Sequence, residues 1–396
     1  MTADGWLETV EALWPGARVD VVSPGTRGAQ ATQREFAFLP DADRPRLLLP
    51  GSPRAAATAL RRYSHDLTIP QRVSRSLTAT AMRTGLPQRT LRDRLRVVED
   101  GEGGSIEDRL GGLLGEAVVV SVGLGTARAN RKPILHVLSP SGRPLAFVKV
   151  GDTETARDLI TQEAAALEFL AGVPLERVAV PRVLHHGPWN GMTLLVLSPL
   201  PTSARGWRPR RNVPIEAMRE VFAAAGVTSG PLADSGFLAR LREVPSRVSD
   251  PEQAGRLDAV IERVGRAYGG QTLRFGAWHG DWTPWNMAWH RGKVQLWDWE
   301  RFARDVPAGL DLLHCRLQEA MRSAGEQPYT SWPAGSVRTL TEVGVTGRDA
   351  AATLELYFVE LCCRYLLAAQ GPIGAPLRTQ AERLLTLLQM NAGRSS

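Results

Sequence analysis

HGDWTPWNMAW at 279–289 and VQLWDWE at 294–300 set Asp281, Asn286 and Asp298 within 18 residues, each at the end of a short apolar run. Phosphoryl transfer asks little covalent chemistry of a protein. It needs a carboxylate beside the acceptor hydroxyl and oxygen ligands that hold Mg²⁺ against the donor phosphates. The protein-kinase signature puts a metal-binding Asn five residues after the catalytic Asp, with a second metal-binding Asp further on. Asn286 follows Asp281 by five, and Asp298 closes VQLW. Each residue also has a plainer reading: an Asp after Gly280 and an Asn after Trp285 are both ordinary turn formers.

Upstream of these motifs, lysine usage points to a second position. Of 48 basic residues only Lys132, Lys149 and Lys293 are lysines; the other 45 are arginines. Lysine is a compact point charge where arginine is a wide planar fork, so a lysine wedged between a strand and a phosphate has a reason to survive such a bias. Lys149 lies in LAFVKV (145–150), an apolar run that reads as a buried strand. The alternative is a lysine snorkelling from a strand end.

Three apolar runs separated by turns, EAVVVSVG (116–123), KPILHVLS (132–139) and PLAFVKV (144–150), predict strands, the last two joined as a hairpin at Ser141-Gly142. A helix is expected from about Thr153 to Leu170, then strands at 181–187 and 192–198. Beyond Pro199 and Pro201 the pattern turns mostly helical, including AATLELYFVELCCRYLLAAQ. Before this block, REFAFLP and PRLLLPG read as short strands and 52–64 as a helix capped by Ser52 with Pro53 at its first position. The acidic, glycine-rich EDGEGGS at 99–105 reads as a linker whose Ser105 caps the next helix.

At 396 residues the chain exceeds what one core usually serves, so two or three folding units are expected. It has no run of 18 apolar residues and no basic start followed by an apolar core, which argues against a membrane span or signal peptide and leaves the cytoplasm. Three cysteines, Cys315, Cys362 and Cys363, lack metal-ligand spacing and read as reduced structural thiols. The net charge of +7 is concentrated: residues 54–96 carry ten arginines against Asp66 and Asp93. This is either a solvated helix face or a docking surface for an anionic partner. Tyr63 is its single aromatic residue, which weighs against nucleic acid.

HGDWTPWN resembles the catalytic loop of the aminoglycoside phosphotransferase and choline kinase superfamily, small-molecule kinases in which Gly replaces the Arg of the protein-kinase version. WDWE is similar to its metal-binding aspartate motif, and DVPAGLDLL (305–313) resembles the segment that follows. The resemblance is strongest over residues 117–315, and nothing in the first hundred residues carries it. It implies an α+β, bilobal protein-kinase-like fold with an antiparallel-sheet small lobe at 105–202 and a mainly helical large lobe at 203–396. Residues 1–104 would be an N-terminal accessory region.

The same resemblance implies roles. Asp281 would be the catalytic carboxylate, Asn286 and Asp298 the Mg²⁺ ligands, and Glu300 a further metal ligand or a surface carboxylate. Lys149 would grip the phosphates of ATP or GTP, held by Glu163, which matches the family position ahead of Glu154 and Glu168. Gly123, Gly125 and Thr126 would line a phosphate-covering loop, although Arg128 stands where a third glycine would be. His279 and Asp311 would support the catalytic loop. Six of eleven tryptophans fall between 278 and 299, and Trp282 or Trp285 is the candidate for substrate contact, the others filling core. The implied partners are a nucleotide and a small hydroxyl-bearing acceptor: an antibiotic, a sugar or an amino alcohol. Two other readings stay open, a catalytically silent binding or scaffold protein of this fold, and a kinase for a peptide or carrier-bound hydroxyl. P-loop, zinc-protease and G-x-S-x-G hydrolase motifs are absent from the sequence.

Overall fold

The computed structural model describes residues 4–23, 33–62, 69–83, 93–99, 104–124, 132–201, 213–324, 333–371 and 374–390. The chain divides into two units, residues 1–164 with 181–200, and 165–180 with 201–396. The class is mixed α+β, as expected. No described helix is long and apolar enough to cross a membrane.

Alternation builds the first unit. Its helices and strands are α1 (Asp4–Leu13), β1 (Ala17–Val22), β2 (Gln33–Leu39), β3 (Leu47–Pro50), α2 (Pro53–Arg62), α3 (Ile69–Met82), β4 (Arg94–Glu99) and α4 (Ile106–Leu114). There follow β5 (Val119–Gly123), β6 (Ile134–Leu138), β7 (Pro144–Gly151), α5 (Glu154–Ala171), and, after the short β8 (Val178–Ala179) of the second unit, β9 (Val183–Trp189) and β10 (Met192–Leu197). The strands form one sheet in the order β1-β4-β2-β3-β5-β6-β7-β10-β9. All its pairings are antiparallel.

Successive residues of a strand face opposite sides, and two cores result. Phe36, Phe38, Leu48, Val148 and Val150 share one with Trp6 and Val10 of α1, with Trp14 just beyond its end, and with Ile106 and Leu110 of α4. Ala37, Leu47 and Leu49 share the other with Ala55, Ala59 and Leu60 of α2 and Ala79 and Met82 of α3. Lys149, between Val148 and Val150, therefore leaves the first core and faces the opposite side.

The first hundred residues, set apart as an accessory region on the sequence, supply four of the nine strands and a large part of the main core. Helix α1 and strands β1 and β4 were not anticipated, because ARVDVV and RLRVVE mix charges into short apolar runs. The basic segment 54–96 is consequently not one helix face. Arg94 and Arg96 lie on β4 and pair with Glu35 of β2 at 3.0 and 3.1 Å, while Arg54, Arg61 and Arg83 are exposed. The expected linker ends in a capping box: the Ser105 hydroxyl accepts the Asp108 N–H, and the Asp108 carboxylate accepts the Ser105 N–H.

The second unit holds α6 (Ile215–Ala223), β11 (Thr228–Pro231), α7 (Gly236–Glu243), α8 (Pro251–Tyr268), β12 (Thr272–Trp278), β13 (Met287–His290), β14 (Lys293–Leu296) and β15 (Ala303–Pro307). Helices α9 (Leu310–Ala324), α10 (Pro333–Leu340), α11 (Gly347–Ala369) and α12 (Ala375–Met390) complete it. Its core gathers Leu257, Ile261 and Val264 of α8, Leu313 and Leu317 of α9, Leu356, Tyr357, Phe358 and Leu361 of α11, and Leu384 and Leu388 of α12. Strand β12 runs between β11 and β15, and β13–β14 is a hairpin whose second strand pairs in parallel with β8. Cys315, Cys362 and Cys363 are buried free thiols.

Two outcomes follow from the first unit. A chain beginning at residue 105 would expose the β5 edge and the core that α1, β2 and β3 cover, and its residues 119–151 and 183–197 are expected to lose NMR dispersion and amide protection. Protected amides in those strands would show that the sheet closes without its first four strands. The second outcome concerns Glu107, buried beneath Trp14, whose indole N–H it accepts at 2.7 Å. Burial pushes its carboxyl up to about 7, against the nearby Arg34 guanidinium and the Trp14 bond. The folded chain thus holds a proton there between roughly pH 4.5 and 7 that the unfolded chain has lost, so this group's stabilising contribution falls as pH rises through that window. Glu107→Gln should therefore gain on the parent between pH 5 and pH 8, by on the order of 2 kcal/mol at about 1.4 kcal/mol per pK unit. Melting temperatures at both pH values measure it; a difference that does not grow with pH would refute the assignment.

Candidate active site

The loop 279–286 joins β12 to β13, and its backbone is hung from one carboxylate. Asp311, second residue of α9, accepts the His279 N–H at 2.8 Å on Oδ2 and the Gly280 N–H at 3.0 Å on Oδ1. Burial raises the Asp311 carboxyl to about 7, while these two bonds pull it back. The first turn of a helix also favours a negative charge.

His279 is fully enclosed, edge-on to Trp299 with ring centroids 4.6 Å apart. Its Nδ1 accepts the Asp281 N–H at 3.2 Å, so Nε2 carries the proton and donates to the Trp297 carbonyl at 3.1 Å. Burial drives its pKa down to about 4, more than the carboxylates of Asp281 and Asp298 raise it. A neutral ring of fixed tautomer braces the loop.

Both oxygens of Asp281 are engaged. Oδ2 accepts from Asn286 Nδ2 at 2.9 Å and Oδ1 meets His314 Nε2 at 2.9 Å. Burial alone would raise this carboxyl, but the hydrogen bond from His314 holds it below the usual range. Asn286 Nδ2 also donates to the Asp281 carbonyl at 3.0 Å. With its amide nitrogen spent on Asp281, Asn286 keeps its side-chain oxygen for another partner.

Asp298 follows the hairpin, and the Trp297 N–H donates to the Asn286 carbonyl at 3.0 Å, extending the β13–β14 ladder to its doorstep. Its φ of +73° is one few non-glycine residues adopt, Asp and Asn being among those that tolerate it. Glu300 is half-buried in the turn closed by the Phe302 N–H on the Trp299 carbonyl. Oxygen donors of the kind Asn286 and Asp298 present are those a hard divalent cation takes.

In the first unit, Lys149 Nζ donates to Glu163 Oε2 at 2.5 Å, with Lys149 8% exposed and Glu163 fully buried. Glu163, rather than Glu154 or Glu168, is the carboxylate that Lys149 meets. Gly123 closes β5 opposite Ile134. Gly125 and Thr126 lie outside the described residues.

Trp282 departs from expectation. Its ring is fully buried and its indole N–H reaches Met287 Sδ at 3.4 Å, so it offers no surface to a substrate. Trp285 is half-buried.

Helix α11 carries residues that sequence reasoning passed over. Arg364 donates to the Gly280 carbonyl at 2.5 Å, lies 4.7 Å from the centroid of the Trp278 ring and bonds Glu360 at 2.9 Å. Tyr357, two turns earlier on the same face, bonds His314 Nδ1 at 3.1 Å. The available signal was a Tyr, a Glu and an Arg at helical spacing inside an otherwise apolar run.

No protein-family model and no curated protein matches the chain. Among solved structures it is similar to a thermostable mutant of aminoglycoside phosphotransferase APH(4)-Ia, at 13% identity and TM-score 0.48 over 73% of this chain and all of that one. It is similar to choline kinase LicA of Streptococcus pneumoniae at 12% identity and TM-score 0.40, over 71% and 97% of the two chains. A third similarity is to aminoglycoside phosphotransferase APH(3'')-Id of Streptomyces rimosus, at 15% identity and TM-score 0.39, over 59% and 90%.

Gly280 carries a testable constraint. Its φ is +81°, and a Cβ there would stand 2.4 Å from the Arg301 carbonyl oxygen. At Gly344 the φ is +76° with nothing within 4 Å of such a Cβ. Left-handed strain of about 1–2 kcal/mol is common to an alanine at either position, so Gly280→Ala should melt well below Gly344→Ala. Equal melting temperatures would mean that the loop does not press on the 299–302 turn.

Proposed function

We propose that this chain is a Mg²⁺-dependent phosphotransferase that moves the γ-phosphoryl group of ATP or GTP to a hydroxyl of a small molecule, in the class of antibiotics, sugars and amino alcohols. The observation that carries this reading is Asp281: a carboxylate held ionised in a braced loop, with Asn286 turned so that its oxygen is left over. General-base work needs such a group, oriented and within reach of the proton it takes.

The acceptor hydroxyl donates to Asp281 and attacks the γ-phosphorus in line with the bridging β–γ oxygen. A phosphorus–oxygen bond forms to the acceptor, the bridging bond breaks, the nucleoside diphosphate leaves, and the acceptor proton ends on the Asp281 carboxylate. Lys149, steadied by Glu163, holds the donor phosphates. Asn286 and Asp298 are the oxygen ligands for Mg²⁺, with Glu300 the further candidate. When bound, the ion neutralises phosphate charge as the β–γ bond breaks. Gly123, Gly125 and Thr126 are assigned to the donor side, and Trp285 to the acceptor.

Asp281 and Asp298 should fail differently. Asp281→Asn is expected to leave Mg·nucleotide affinity close to the parent's while turnover falls by roughly 10²- to 10⁴-fold. Asp298→Asn should weaken metal-dependent nucleotide binding as well as turnover. Calorimetry with ATP and with GTP at saturating Mg²⁺, beside phosphate-transfer assays over a hydroxyl library, separates the two. Loss of nucleotide binding in Asp281→Asn with its retention in Asp298→Asn would reverse the roles assigned here. A parent that binds Mg·nucleotide neither with nor without acceptor would remove the phosphotransferase reading.

A further inference from the structure

Helix α9 touches the loop twice. Asp311 and His314 stand three residues apart and so share a face. The first takes two backbone N–H groups of the loop, and the second reaches the side chain of Asp281. His314 is buried, and so is Tyr357 of α11, whose hydroxyl meets the other ring nitrogen. The imidazole thus has a carboxylate oxygen at Nε2, 2.9 Å away, and a phenol at Nδ1, 3.1 Å away. A carboxylate only accepts, whereas a phenol can donate. One neutral assignment satisfies all three groups: the Tyr357 O–H donates to Nδ1, and Nε2–H donates to Asp281.

We infer that His314, locked in this tautomer by Tyr357, is a positioning residue for Asp281, fixing the rotation of the catalytic carboxylate while leaving its charge in place. The inference rests on the phosphotransferase reading, because it gives Asp281 the acceptor proton. Burial lowers the His314 pKa, opposed by the Asp281 carboxylate, which agrees with a neutral ring. Asn286 holds Oδ2 and His314 holds Oδ1. A carboxylate offers about four lone-pair sites, so each oxygen keeps one free although the plane can no longer turn. An acceptor hydroxyl would then find its proton acceptor already aimed. A base oriented by a third group is the general arrangement of activated nucleophiles. Asn286 and His314 hold different oxygens of Asp281, so His314 acts from the side of the carboxylate remote from Asn286.

The test uses the full chain, with Mg·ATP and water as the phosphoryl acceptor, together with side-chain ¹H–¹⁵N NMR of the histidines. Beside the Nε2–H of His279, the parent should show a slowly exchanging Nε2–H signal that vanishes in His314→Gln and moves in Asp281→Asn. Tyr357→Phe, nearly isosteric, should let the Nδ1–H tautomer appear at His314. In kinetics, His314→Gln restores an N–H donor near the Nε2 position and should keep kcat within about threefold. His314→Leu should lose on the order of tenfold or more, as small misplacements of a reacting group do, with KM for ATP unchanged. An Nδ1–H tautomer in the parent, or a signal indifferent to Asp281→Asn, overturns the inference. So do equal kcat losses in the Gln and Leu variants at parental melting temperature. A parent that binds Mg·ATP yet turns nothing over, with the NMR coupling intact, removes the phosphotransferase reading and leaves only the contact.

Discussion

Two adjacent N–H groups directed onto one buried carboxylate are the constraint from which the rest of the loop's geometry follows. Left without a partner, each buried N–H would cost about 1–3 kcal/mol. Asp311 answers both, and it can do so because it stands in the first turn of α9, where the helix end favours its charge. Neighbouring N–H groups of an extended chain point to opposite sides, so binding both to one residue requires a sharp turn. Gly280 supplies it at φ +81°, against the backbone of Arg301. Once the turn is set, the His279 ring falls between the Asp281 N–H and the Trp297 carbonyl, and Asp281 is presented to Asn286 and His314.

A second layer stands behind the first. The face of α11 that carries Tyr357, Glu360 and Arg364 runs through a helix whose buried residues are otherwise mostly apolar. Each polar group on it is matched: Tyr357 to His314, Glu360 to Arg364, and Arg364 to the Gly280 carbonyl and the Trp278 ring. Networks of this sort stabilise when every member is satisfied and are costly when one is removed. They also hold side chains to a single rotamer, which a base at a reacting centre needs.

In the other unit, the Lys149–Glu163 pair is poorly explained by stability. Taking two charges out of water costs about what their attraction returns. What the sheet contributes is placement: strict alternation along β7 sends Val148 and Val150 into one core and leaves Lys149 on the other face, where Glu163 of α5 meets it. A single-residue slip of register would exchange these faces.

Local pattern alone was enough for the strands 119–123, 134–138, 144–151, 183–189 and 192–197, for the helix from 154 to 171, and for the spacing of Asp281, Asn286 and Asp298. These depend on periodicity of two or 3.6 and on turn chemistry, which neighbouring residues carry themselves. Pattern could not join the first hundred residues to the later strands, because β3 pairs with β5 across about 75 positions, Leu47 with Gly123 and Leu48 with Val122, and nothing in either segment marks its partner. Nor could it find His314, Tyr357 and Arg364, which read locally as interruptions of apolar helices. The choice of Glu163 needed a family resemblance, and the enclosure of Trp282 needed the packed core around it. Residue types and their spacing determined which chemistry was at hand; long-range packing, which alone brings distant polar groups within 3 Å in a medium that excludes water, decided how each group is aimed.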